Sequence, residues 1–265
     1  MSAIVIDDGV VHYETVGRGR PVLFLHGWLG SWRYWMSTMV ALSDQYRAYA
    51  LDLWGFGDSD KSKPRYHISD YVELLDNFIS NLSIHQPALV GHTLGAVVAL
   101  EYAKRYPERV QKLVAVNPPL HVDQINHRLL DFSDNSLLAR LSRWRQQFSY
   151  QEVEKEAEKV GQGVLKMSLQ SAAQIDIYNS LQTISQQQMM LLLIYGENDE
   201  VIDPGPLQNL NGTWPNIRSI GLPESKHFPM LDQAARFSRL LSDFLEVETD
   251  LSELVLKQEW RRRTR

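Results

Sequence analysis

A chain of 265 residues with 44% hydrophobic and 22% charged side chains suits one α/β domain and excludes a disordered or fibrous polymer. The formal net charge of −5 supplies no overall attraction to nucleic acid or to an anionic membrane. The absence of cysteine removes disulfides, thiolate nucleophiles and cysteine-bound metal centres.

The opening segment, Ser2 to Gly17, carries acidic residues where a secretory signal needs a basic segment and a longer apolar run. No uncharged apolar stretch approaches the roughly 20 residues that span a bilayer. A cytoplasmic location and the absence of a transmembrane segment are therefore expected. Short apolar runs then recur at Val22–Leu25, Arg47–Leu53, Ala88–Val90, Leu113–Val116 and Met190–Tyr195, with amphipathic stretches between most of them. Continuous apolar strands alternating with helices predict an α/β fold: a mainly parallel central sheet covered by helices on both faces, with sites beyond the strands' carboxyl ends.

The first run leads into His26-Gly27-Trp28, followed by Trp32, Tyr34 and Trp35; Trp28 and these three read either as ordinary core or as an apolar entrance, with Trp28 and Trp32 the candidates for substrate contact. The second leads into Asp52-Leu53-Trp54-Gly55-Phe56-Gly57-Asp58-Ser59, where Asp52 is expected to bind loop N–H groups. The third leads directly into Gly91-His92-Thr93-Leu94-Gly95, and a helical pattern begins there through Val97, Val98, Leu100, Glu101 and Tyr102. A hydroxyl held between strand and helix must sit on a sharp turn, and glycines leave the steric room for it.

From 121 to 188 the strand pattern lapses. Leu137, Leu138, Leu141, Trp144 and Phe148, then Val153, Ala157, Val160 and Val164, recur at helical spacing and predict a helical cap insertion; the alternative is further helices covering the core. Residues 1–120 and 189–248 then form the core. In 249–265, Asp250 and Glu253 suggest a capping box for a helix bearing Leu251, Leu254 and Val255, and Arg261, Arg262, Arg263 and Arg265 form a basic tail. The tail reads as the solvated end of that helix or as an arm for a partner or anionic surface.

Taken in order, the segments around His26, Asp52, Thr93, Gly196-Glu197-Asn198-Asp199 and Ser225-Lys226-His227-Phe228-Pro229-Met230 resemble the α/β-hydrolase superfamily, esterase- and lipase-like members included, over nearly the whole chain. Two departures stand out. Thr93 occupies the position of the family's nucleophilic serine, and Lys226 replaces a glycine often found beside the histidine. The resemblance implies a Thr93–His227–Asp199 triad, with Glu197 and Asp203 as competing acids and the backbone N–H groups of Trp28 and Leu94 as an oxyanion hole. Relatives that open epoxides or remove halogen use an aspartate at the elbow, which this chain lacks. The implied activity is hydrolysis of a carboxylic ester or related small acyl substrate. The alternative is a weak or inactive relative that binds a ligand or partner, because the extra methyl of threonine restricts its rotamer. No metal constellation, phosphate loop or dinucleotide fingerprint is present, so neither metal nor cofactor is implied.

Overall fold

Each of the five apolar runs becomes a strand. The computed structural model describes residues 2–28, 30–121, 124–125, 150–157 and 159–257. Its eight strands are β1 (Ser2–Ile6), β2 (Gly9–Gly17), β3 (Arg20–Leu25), β4 (Tyr46–Leu51), β5 (Ala88–His92), β6 (Lys112–Val116), β7 (Leu191–Gly196) and β8 (Ile217–Leu222). They form one sheet in the order β1-β2-β4-β3-β5-β6-β7-β8. The β1–β2 and β2–β4 pairs are antiparallel, and all others are parallel.

Every residue of β5, β6 and β7 is buried, so helices cover both faces of the central sheet. Helix α1 (Met36–Leu42) packs against α9 (Ala234–Glu246), while α2 (Ile68–Asn81) and α6 (Ile177–Gln186) pack against α3 (Leu94–Arg105). Between β6 and α6 lie α4 (Gln151–Ala157) and α5 (Gln162–Ala172), and after β7 come the short α7 (Gly205–Gln208) and α8 (Pro229–Asp232). Among the described residues, no helix is long and apolar enough to cross a membrane.

Several sequence expectations change. The second run ends as a strand at Leu51, because Asp52 turns its carboxylate to collect loop N–H groups. Strands β1, β2 and β8 carried no clear apolar run. The pattern through Val153, Val160 and Val164 is two helices, α4 and α5, with Gly161 extended at the N-cap of the second. The C-terminal helix suggested for 249–265 is not formed over Asp250–Lys257. Both Asp250 oxygens are taken by Ser252, through its N–H at 2.8 Å and its hydroxyl at 2.7 Å, and a single turn follows from Leu251 to Leu254. Leu251 and Leu254 are buried there, and Val255 is exposed. Leu137, Leu138, Leu141, Trp144 and Phe148, and the tail arginines 261–263 and 265, lie outside the described residues.

Candidate active site

Thr93 joins β5 directly to α3, with φ 45° and ψ −103°. A β-branched residue in this region stores strain of order 1–3 kcal/mol. The surroundings hold the turn: the Thr93 N–H donates to Val116 O at 2.9 Å, and the Gly95 N–H donates to His26 O at 3.1 Å. Gly95 must be glycine, since a Cβ there would lie 2.3 Å from Leu25 O. A Cβ on Gly27 would lie 2.1 Å from Thr93 Oγ1, so the hydroxyl rests against the Gly27 backbone. Thr93 itself is 1% exposed. Leu94 opens α3, where first-turn N–H groups have no helical partner and the helix dipole favours negative charge. Trp28 follows Gly27, and its indole N–H donates to Ser168 Oγ of α5 at 3.0 Å.

Asp199 and His227 meet beyond the ends of β7 and β8. Asp199 Oδ1 accepts from the N–H groups of Val201 at 2.7 Å and Ile202 at 3.1 Å, which fixes the carboxylate plane. Its Oδ2 lies 2.8 Å from His227 Nδ1. A carboxylate oxygen accepts, so Nδ1 is the donor in this contact. Of the competing acids, Glu197 is exposed and Asp203 accepts from the Gly205 N–H at 2.9 Å. The departure at Lys226 is accommodated locally: its side chain is exposed and its N–H donates to Asp232 Oδ2 at 2.7 Å. Burial raises the Asp232 pKa against the pull of the Lys226 and Phe228 N–H groups, and Tyr150 also donates to this carboxyl.

His26 serves structure. Its Nδ1 donates to Gly27 O at 2.8 Å and its Nε2 accepts from the Leu53 N–H at 3.0 Å, while burial lowers its pKa. Asp52 accepts from the N–H groups of Trp32 at 2.8 Å and Asp58 at 2.9 Å, and lies 3.1 Å from His12 Nδ1. Trp32 is half-buried against His12, beneath the Arg33 guanidinium. Trp35 belongs to the core, against Phe24 and Phe237. His12, Asp52 and Asp58 could share a cation within 4.8 Å, but Asp58 is already paired with Arg33 at 2.7 Å and approached by Lys159 at 3.8 Å, so a further cation would meet two fixed positive charges.

Sequence reasoning gave no positioning role to three residues. His92 Nε2 donates to the His227 carbonyl at 2.8 Å, and Asn117 Nδ2 donates to the same oxygen at 2.8 Å. The Tyr34 hydroxyl lies 3.1 Å from His92 Nδ1 and accepts from the Gly27 N–H at 2.5 Å. Of the three, Asn117 alone has a local signal, a positive φ of 45° that asparagine tolerates.

Comparison with known proteins agrees with this architecture. Pimeloyl-[acyl-carrier protein] methyl ester esterase of Vibrio campbellii is 24% identical over 88% of this chain and 98% of its own length. Epoxide hydrolase 2 of Siraitia grosvenorii is 42% identical, over 39% of this chain and 34% of that longer protein. The enol-lactonase of Burkholderia xenovorans LB400 superposes with a TM-score of 0.80 at 15% identity, covering 93% of this chain and all of that one, a likeness of fold. The family model described as alpha/beta hydrolase fold matches residues 20–157. The chain therefore belongs to the alpha/beta hydrolase fold family.

Proposed function

We propose that this protein hydrolyses a carboxylic ester or related small acyl compound, with Thr93 as nucleophile, His227 as general base and Asp199 as the carboxylate that orients it. The observation that carries the reading is the 2.8 Å contact of His227 Nδ1 with Asp199, on loops at the same end of the sheet as the strained turn at Thr93. His227 Nε2 takes the Thr93 proton as Oγ1 adds to the carbonyl carbon, and the carbonyl π pair moves onto oxygen. The backbone N–H groups of Trp28 and Leu94 receive that oxyanion. Collapse expels the alcohol, which leaves with the proton from the imidazolium, and an acyl-threonine remains. Water, deprotonated by His227, repeats the addition and releases the acid. Every proton moves between groups of this chain, substrate and water.

The elbow offers a hydroxyl instead of a carboxylate, which favours acyl transfer over epoxide opening, although epoxide hydrolases are among the partial matches. The Vibrio campbellii relative, matched over 88% of the chain, is by name a methyl ester esterase, which supports the same choice. Helices α4 and α5, in the stretch between β6 and α6, are read as part of a cap. Three ties from that stretch support this: Ser168 to Trp28, Glu156 to Arg33 at 3.1 Å, and Tyr150 to Asp232. Of the two aromatic candidates, Trp28 is assigned the substrate contact, since the Trp32 ring is engaged by His12 and Arg33.

A second reading, a ligand-binding relative with little or no turnover, is favoured by one feature: Thr93 is a β-branched residue, 1% exposed, in a strained turn. A displacement of about 1 Å from productive geometry costs on the order of a hundredfold in rate. Turnover of para-nitrophenyl acetate and butyrate, compared among the parent, Thr93→Ser, Thr93→Ala and His227→Ala at matched folding, separates the readings. Activity lost in both alanine variants supports the threonine nucleophile. A silent parent with an active Thr93→Ser supports the second reading, and silence in all four sinks the esterase.

A further inference from the structure

The catalytic reading uses four loops, each after a different strand, and loops of this kind drift unless something spans them. A single buried chain of hydrogen bonds does so. The Gly27 N–H donates to Tyr34 Oη at 2.5 Å, and Tyr34 Oη lies 3.1 Å from His92 Nδ1. His92 Nε2 is 2.8 Å from the His227 carbonyl oxygen, which can only accept. His92 is fully buried, and both desolvation and its neighbour His227 hold its pKa well below 6.5, so the ring is neutral. With its one hydrogen on Nε2, Nδ1 must accept, and the Tyr34 hydroxyl donates to it. From the other side, Asn117 Nδ2 donates to the same His227 oxygen, and Asn117 Oδ1 accepts from the Gly196 N–H at 3.1 Å. Donor and acceptor roles therefore run without conflict from the loop that carries Trp28, past the residue before Thr93, to the base, and on to the turn that opens toward Asp199.

We infer that Tyr34, His92 and Asn117 are positioning residues that lock the proposed oxyanion loop, elbow, base loop and acid turn into one register. The inference rests on the esterase reading for its kinetic consequence and on geometry alone for its structural one. His92 lies next to Thr93 with its ring 4.9 Å from that of His227, yet it is no spare base: both nitrogens are committed and its surroundings disfavour the charged form. Tyr34, buried beside Phe228 as well as His92, connects the Gly27 N–H to the His92 ring through its hydroxyl.

The decisive variant is Tyr34→Phe, which deletes one oxygen and keeps the ring. With para-nitrophenyl butyrate, kcat is expected to fall about 10- to 100-fold while KM changes less than about threefold, because the loss falls on alignment in the transition state. The same substitution is made in Thr93→Ser, so that an inactive parent does not hide the effect. Imidazole ¹⁵N and carbonyl ¹³C NMR of the full chain provides a readout independent of turnover. His92 is expected as the Nε2–H tautomer at pH 6.5 and above, and Tyr34→Phe is expected to move the His227 carbonyl signal, which a merely local packing role would leave in place. A kcat within twofold of the matching background, an unmoved His227 carbonyl, or a hydrogen on His92 Nδ1 overturns the inference. If neither background turns over ester, the esterase reading fails and the NMR result alone decides the positioning role.

Discussion

His12 and His227 both present Nδ1 to a buried aspartate, at 3.1 Å from Asp52 and 2.8 Å from Asp199. The two acids are alike, for each also accepts two backbone N–H groups from the loop that follows it or lies nearby. The histidines differ in how they are mounted. His12 sits within β2, paired to Ala3 of β1, and its far nitrogen faces Glu14 at 3.4 Å. His227 stands in the loop after β8, at the carboxyl end of the sheet, with its own carbonyl gripped by His92 and Asn117. A histidine–aspartate pair fixes a tautomer and a charge. Whether that pair can do chemistry depends on the strand end that carries it and on a hydroxyl within its reach.

The sharpest way to break the comparison is to disable each pair in turn. Asp199→Asn and His227→Ala are expected to lower kcat on para-nitrophenyl butyrate by about 10³- to 10⁴-fold. His12→Asn is expected to leave kcat within about twofold, because its ring works for the fold, held on β2 against Asp52 and Trp32. Equal losses from the two histidines would erase the distinction. A smaller effect is expected from Gly27→Ala, whose methyl would press on Thr93 Oγ1 and approach His92 Nδ1 to 3.0 Å. There kcat should fall on the order of a hundredfold, with some loss of urea midpoint as the buried turn shifts, and an unaffected kcat would mean that the Thr93 hydroxyl takes no part.

The same contrast explains what a reader of the sequence can reach. The turn at Thr93 is legible because β5 is wholly apolar up to Gly91 and the helix begins one residue after Thr93, so periodicity changes at the point of interest. The contact of Asp199 with His227 joins two residues that each follow a strand end, in the order the family resemblance implies. Strand β8 escapes because Arg218, Ser219 and Gly221 interrupt its apolar residues, and β1 because it alternates at an antiparallel edge. Tyr34, His92, Asn117 and His12 escape for another reason. Their partners are distant in sequence, and a hydrogen bond closed by the tertiary fold leaves no local pattern. Asp250 errs in the opposite sense: the capping signal is present, but Ser252 uses both carboxylate oxygens and only a turn forms.

If the His12–Asp52 pair works for the fold, its loss should register as stability. Asp52 is fully buried and holds two N–H groups besides His12. Asp52→Asn retains the size but turns an amide toward some of these donors, and is expected to cost about 2–4 kcal/mol in urea unfolding. A midpoint equal to the parent's would mean that the Asp52–Ser59 loop is held by other contacts.

The smallest effect tests the charge of that same pair. The hydrogen bond to Asp52 is the largest influence on His12 and raises its pKa above 6.5, although burial opposes it. A raised folded pKa means that the native state binds the proton more tightly than the unfolded chain. The resulting stabilisation is complete below about pH 6.5 and is lost as pH rises through the higher, folded value. The His12 contribution to the parent's urea midpoint should therefore decline from pH 6.5 upward, by less than the loss in Asp52→Asn and against the opposite trend from buried His26 and His92, and His12→Gln should remove that part of the slope. An identical slope in His12→Gln would assign the titration elsewhere and leave His12 a neutral spacer beside Asp52, which would make the two pairs less alike than their distances suggest.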